Sequence, residues 1–306
     1  MMTSDLAQMI PKHCGLRFDQ QMNISSLLDI SLSFARDAGF EYGSIPSVQE
    51  DTVILESGHQ PNFFPPYSGV WKKVFLLHQF REMLAENGTH GIALFGFADQ
   101  NATTASFLYK NQVPALNKKG TQKIGFTVKG LDKWKCFDRI EKPPRPEIWE
   151  EEMLRLEHVY SGTPSENLEI IEMMWRSYER ADSFSDLNAY IFSRISREIL
   201  GLDVFFFRYS DIQQNRLFSG ECTHILKNLD SYNAVYNTIL RNADLDLRPV
   251  VTGEIPFWYH CDCGGKASLV MDPFGVCRAT CPPSAKKNMN WILVPISVCL
   301  IRFLKT

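Results

Sequence analysis

The chain has 306 residues, 44% hydrophobic and 22% charged, a composition that excludes disordered and fibrous classes and predicts a folded protein with one large core or two modest ones. A formal net charge of −3 supplies no basic field of the kind non-specific nucleic-acid binding needs, so a small molecule rather than nucleic acid is the expected partner.

The opening segment "MMTSDLAQMIPKHCGLRF" lacks the charged start, apolar run and small-residue cleavage site of a secretory leader, which points to the cytoplasm. Residues 1–44 read as an N-terminal helical segment. In "SSLLDISLSFARDA", 25–38, Leu27, Ile30, Leu32 and Phe34 fall mostly on one helical side ahead of a Gly39 stop.

Residues 45–250 read as a Rossmann-like α/β domain. "DTVILE", 51–56, is a β-branched run, and Val70, Val74, Leu77, Arg81 and Leu84 recur at helical spacing until Asn87-Gly88. "GIALFGFADQN", 91–101, is a second strand. Strand, helix and strand in so short a span form a βαβ unit, whose two strands must be parallel. In such a sheet the loops leaving the strand C-termini line the ligand crevice.

Those loops are polar. After the first strand come Gly58, His59, Gln60 and Asn62, at a helix start where backbone N–H groups favour a phosphate or carboxylate, with Lys72 and Lys73 one turn in. After the second come Asp99, Gln100 and Asn101; Asp99 suits a ribose hydroxyl, an amine or a catalytic proton, and equally caps a helix over "NATTASF". "TQKIGFTVKG" reads as another strand, "EKPPRPEIWEEE" as a linker entering a helix, and residues 165–200 as two helices ending at Gly201. "LDVFFFRYSDIQ" is a buried strand that delivers Arg208, Tyr209, Ser210 and Asp211 to the same sheet end, where Ser210 and Asp211 serve a ligand or act as cap and turn residues. No Gly-x-Gly-x-x-Gly or P-loop pattern occurs, which argues against a dinucleotide oxidoreductase and a P-loop NTPase.

Four of the eight cysteines lie within 261–281, a distribution that suits a reduced compartment and one metal site rather than a disulfide framework. Two close pairs on facing turns would hold a structural zinc: Cys261 and Cys263, or His260 with Cys263, and then Cys277 and Cys281. The competing reading is a set of free thiols in a Gly-rich hairpin. Residues 251–283 are therefore expected to form a small zinc-ribbon-like hairpin. The apolar tail 284–306, with "WILVPISVCLIRFL", is too short and Pro-interrupted for a bilayer span, and is either a buried strand or a foreign or truncated end.

"SGHQPNFF", the helix after it and "LFGFADQN" together resemble the bacillithiol synthase family, the cysteine-adding enzymes, well over residues 50–110 and loosely to about 250. The resemblance implies a fold similar to HIGH-type nucleotidyltransferases and class I aminoacyl-tRNA synthetases, with Gly58, His59 and Gln60 at the first motif and Asp99, Gln100 and Asn101 at the second. The chain departs from that pattern: it has no H-x-G-H pair, no K-M-S-K-S-like loop, and none of the acidic pair and histidine of the second turn. The cysteine segment looks like the zinc segment of class I lysyl-tRNA synthetases, and "QPNFFP" is similar to the opening of WbqC-like proteins linked to glycan biosynthesis. The resemblance implies a ligase or transferase joining an amino acid such as cysteine, or an amine, to a sugar-like or phosphorylated acceptor. His59 and Gln60 would orient the acceptor and Asp99 the nucleophile. The alternatives are a nucleotide- or metabolite-binding module without turnover, and a nucleotidyltransferase that takes a nucleotide.

Overall fold

A computed structural model describes residues 18–62, 68–101, 111–114, 120–124, 135–140, 146–162, 165–242, 248–281 and 291–294. Phe63, Phe64 and Tyr67 of the first loop, and the helix expected over "NATTASF" beyond Asn101, lie outside them. The described residues fall into two compact units, one from residues up to 124 together with 137–211, the other from 135–136 and 212–294. This division comes after Asp211.

The first unit is a three-stranded parallel sheet with helices. Helix α1 (Phe18–Ala38) buries Leu27, Ile30, Phe34 and Ala38 and ends where Gly39 takes φ +85, a left-handed conformation that costs a glycine little. Strand β1 (Val53–His59), helix α2 (Ser68–Glu86) and strand β2 (Gly91–Phe97) form the expected βαβ unit, with parallel register from Val53↔Gly91 to His59↔Phe97. Every residue of β2 is buried, which is why its apolar pattern does not alternate: it is the central strand.

A short antiparallel pair, β3 (Asn111–Pro114) with β4 (Thr121–Ile124), accounts for the start of "TQKIGFTVKG" and lies outside the parallel sheet. Helix α3 (Pro146–Tyr160) opens on a proline, whose fixed φ and missing N–H suit a first helical position. Helices α4 (Ser165–Arg180) and α5 (Phe184–Arg194) follow, and a π turn over Ile195–Ile199 precedes Gly201. At the start of α5 the Ser183 side chain accepts from the Asp186 N–H while Asp186 accepts from the Ser183 N–H, satisfying two donors that a helix start leaves open. Strand β5 (Phe205–Arg208) then pairs parallel with β2, completing the order β1-β2-β5.

The core lies on the face of the sheet carrying Phe95, Phe97 and Phe206, whose rings meet Phe34 and Phe192 of the helices, with Phe95 and Phe192 centroids 5.5 Å apart and Trp71 packed in turn on Phe192. Each such ring contributes about 1.5–3 kcal/mol through burial. The outer edge of β5 has one of its backbone donors covered: Phe206 N–H donates to the Tyr42 hydroxyl at 2.8 Å. On the opposite face, β1 and β2 meet glycine to glycine. A Cβ on Gly58 would stand 2.5 Å from the Gly96 carbonyl oxygen, and one on Gly96 would stand 2.7 Å from the Tyr209 ring.

Helix α6 (Tyr209–Gln214) follows β5 directly. The second unit contains α7 (Ser219–Lys227), α8 (Leu229–Asn242) and an antiparallel sheet of β6 (Glu254–His260), β7 (Lys266–Met271), β8 (Cys277–Thr280) and β9 (Trp291–Val294) in that order. Its core gathers Leu226, Leu229, Ile255, Tyr259, Leu269, Cys277 and Ala279. Residues 291–294 of the apolar tail are thus a strand of this sheet. Among the described residues no helix is long and apolar enough to cross a membrane.

Gly58 is therefore required by strand packing before any ligand is considered. Gly58→Ala forces a clash with backbone, which no rotamer change relieves, and should destabilise the protein by about 1–3 kcal/mol, read as a lower midpoint in urea at unchanged m-value.

Candidate functional site

The C-terminal edge of the parallel sheet brings three chain segments together. Beyond β1, the His59 carbonyl accepts the Ala98 N–H at 2.9 Å, so the two loops leave side by side. Phe97 and Arg208 are register partners, which places Asp99 and Ser210, each two residues further on, opposite one another. Ser210 N–H donates to Asp99 Oδ1 at 3.1 Å and its hydroxyl donates to Oδ2. Asp99 is 1% exposed and has no cation partner among the described residues.

Burial pushes the Asp99 carboxyl up to about 7, against the pull of the two Ser210 hydrogen bonds and with help from Asp138 and Asp211. Asp138, whose N–H donates to the Asp99 carbonyl at 2.9 Å, is pushed up to about 6, again by burial, with Arg139 opposing. Its Oδ1 is buried and has no hydrogen-bond partner among the described residues. Asp138 sits in a stretch, "CFDRI", with no periodic or motif signal; only its backbone bond to Asp99 brings it to the site.

Arg208 holds the acidic groups beside this pair. Its guanidinium meets Asp211 at 2.8 Å, Asp37 at 3.2 Å, Asp186, and the Tyr190 hydroxyl at 3.2 Å. Burial works against its charge, but Asp211 and Asp186 outweigh that and keep it protonated. Asp211 thus has a structural partner, whereas Ser210 faces Asp99.

His59 is half-buried, and its Nδ1 lies 3.0 Å from the Gln60 carbonyl, a contact that places the proton on Nδ1 and leaves Nε2 as the acceptor. Burial lowers its pKa, with the hydrogen bond to Gln60 opposing and Lys73 adding to the shift. Lys73 rather than Lys72 reaches the loop, donating to the Gly58 carbonyl at 2.7 Å, while Lys72 is exposed on α2. Helical phase decides between adjacent lysines, and a sequence offers no register for the loop they face. Gln60, Gln100 and Asn101 are half-buried at the same edge, and the Asn101 carbonyl accepts the Phe137 N–H. Asn62 is buried, and neither Oδ1 nor Nδ2 of its amide has a partner among the described residues, at a cost of about 1–3 kcal/mol for each atom.

The second unit carries a cluster of thiols. Cys261 and Cys263 sit on a turn closed by Cys261 N–H to Gly265 O and Gly264 N–H to Cys261 O, both 2.8 Å, and Cys281 follows β8. Cys261 and Cys281 sulfurs are 3.4 Å apart, Cys281 and Cys263 sulfurs 3.6 Å, and all three lie within 4.8 Å of one another. Three thiolates on one tetrahedral ion with ~2.3 Å bonds stand ~3.8 Å apart, so the set fits a metal. Burial, then the neighbouring thiols, push Cys261 up to about 12, so taking a cation requires loss of thiol protons.

Cys277 is not in this set. The expected second pair needs a turn, but Cys277 opens strand β8, and four residues of strand separate its Cα from that of Cys281 by ~13 Å. Its side chain is instead wholly buried in the core with Leu269 and Ala279. His260 is a buried β6 residue paired with Lys266 and is also outside the cluster. Cys136, far away in sequence, reaches the turn through its backbone: its N–H donates to the Gly264 carbonyl at 2.8 Å, beside an antiparallel bridge between Lys135 and Gly265.

No protein-family model and no curated protein sequence matches this chain.

A carboxyl whose folded pKa is raised binds a proton that the unfolded chain has already lost. Stability therefore falls as pH rises from about 4, the unfolded value, to about 7 for Asp99, and to about 6 for Asp138. Asp99→Asn should abolish the part of that decline between pH 6 and 7, while the part due to Asp138 persists; melting temperatures across pH 4–8 read this directly.

Proposed function

We propose that the C-terminal edge of the parallel sheet is the active site of a ligase or transferase of bacillithiol synthase type, on a Rossmann-like sheet similar to that of HIGH-type nucleotidyltransferases. It joins an amino acid or amine to a small sugar-like or phosphorylated acceptor in the cytoplasm. The observation that carries this reading is Asp99: a buried carboxyl, oriented by Ser210 and titrating near neutrality at a sheet edge. An amine that forms a new bond must lose a proton. A carboxylate with a pKa near the working pH can take it and return it to solvent or to the leaving group. Asp138 adds negative charge that favours a cationic amine before reaction. His59 and Gln60, side by side at the same edge, would orient the acceptor group.

The thiol cluster suits zinc, for which Cys261, Cys263 and Cys281 would supply three of the four tetrahedral ligands. Such an ion would fasten the β6–β7 turn to the end of β8.

Two experiments test this. Amino acids, amino sugars and nucleotides should be screened by thermal shift, where a ligand at 100 times its Kd adds ~2.7 kcal/mol, and the hits assayed for a condensation product by mass spectrometry. Asp99→Asn is expected to lower kcat by about 100-fold or more with little effect on ligand-induced stabilisation, and His59→Ala to weaken acceptor binding at nearly unchanged ligand-free stability. Ligand-induced stabilisation without product would identify a binding module instead. For the metal, elemental analysis of protein purified without chelator should find about one zinc per chain, in line with a three-thiolate set. Cys281→Ser should lose the metal and Cys277→Ser retain it; retention in Cys281→Ser would remove the cluster as its site.

A further inference from the structure

Asn62 is the side chain that the fold explains least. Asn188 and Asn233 each have one orphaned amide oxygen, but their Nδ2 groups donate to the carbonyls of Phe184 and Glu254. Asn62 is 7% exposed, and among the described residues both its donor and its acceptor are unused. An apolar side chain of similar size would fill the same place without that penalty. The residue leaves β1 three positions after His59, at the edge that also carries Asp99 and the orphaned Oδ1 of Asp138.

A carboxamide presents an acceptor and a donor side by side in one plane. A carboxylate or other fully ionised anion has no donor to return, and an ammonium group has no acceptor, so either satisfies only half of it. A planar group with its own adjacent donor and acceptor satisfies both halves; nucleobase edges and primary carboxamides have this pattern, and paired contacts from asparagine to adenine use it. We propose that Asn62 reads such an edge on the ligand, and so selects a substrate that carries a nucleobase or a primary carboxamide. The proposal rests on reading the sheet edge as a small-molecule site, and it adds a recognition element separate from the Asp99 chemistry.

The test uses the full chain with four probes: adenosine and adenosine 5′-monophosphate, which carry a base edge; glutamine, which carries a carboxamide; and ribose 5-phosphate, which carries neither. Adenosine or glutamine should stabilise the protein, their relative strength naming the source of the edge. Asn62→Leu should weaken that probe roughly tenfold or more and leave any ribose 5-phosphate effect unchanged. The ligand-free melting temperature of Asn62→Leu should rise by about 2–4 °C, because an orphaned amide has been removed from the interior. Asn62→Asp, which keeps the acceptor and loses the donor, should also weaken the probe. A lower ligand-free melting temperature for Asn62→Leu would make Asn62 a structural tie and overturn the proposal, as would equal binding of the probe to wild type and variant, or no response of the wild type to adenosine, its monophosphate or glutamine. The wild type separates the two readings: Asn62-dependent binding of a probe with no condensation product by mass spectrometry sinks the ligase or transferase and leaves the recognition role standing.

Discussion

The architecture of the first unit depends on a half-buried guanidinium. Arg208 ends β5 and is held by Asp37 at the end of α1, Asp186 in the first turn of α5, and Asp211 in α6. Three helices are thereby fixed to one strand end by a single cation. Breaking a buried pair by removing one partner typically costs about 3–5 kcal/mol, because the remaining charges have nowhere to go. Arg208 is the only described cation in that cluster, and it is used up by these three carboxylates. Asp99 lies on the next strand end without such a partner, which is why desolvation rather than ion pairing sets its chemistry.

The position of Asp99 follows from register as much as from sequence. Parallel pairing of β2 and β5 places Phe97 against Arg208, and the two chains then turn so that Ser210 meets Asp99 through both its backbone and its hydroxyl. Asp186 has a double role: one oxygen closes the capping box with Ser183 while the other takes Arg208, so the start of α5 and the charge network are fixed together.

The βαβ unit was legible because its signals are local: a β-branched run, helical spacing from Val70 to Leu84 with a Gly88 stop, and an apolar strand. The polar ends of β1, β2 and β5 were legible for the same reason. Long-range partners left no such trace. Asp138 is an isolated acidic residue until a backbone bond carries it to Asp99, and Asp186 looks like an ordinary first-turn acid until Arg208 is placed against it. The cysteines show the limit of spacing arguments most plainly. Cys277 and Cys281 are four residues apart, a separation that brings sulfurs together across a turn and holds them apart along a strand, and the pairing of β7 with β8 selects the strand. Lys72 and Lys73 differ by 100° of helical phase, and only the path of the loop decides which one meets it.

The hydroxyl of Tyr42 on the outer side of β5 bears on how the molecule behaves among its own copies. A three-stranded sheet has two open margins, and bare strand margins recruit other chains into continuous sheets. With the Phe206 donor already engaged by Tyr42, an incoming strand along β5 finds one of its rungs taken and an aromatic ring in its path. The short, phenylalanine-rich segment "FFFR" would be a hazard for self-association if it were left bare. Tyr42 shields it with one hydrogen bond and its ring, a protection supplied by a residue remote from the chemistry of the strand ends.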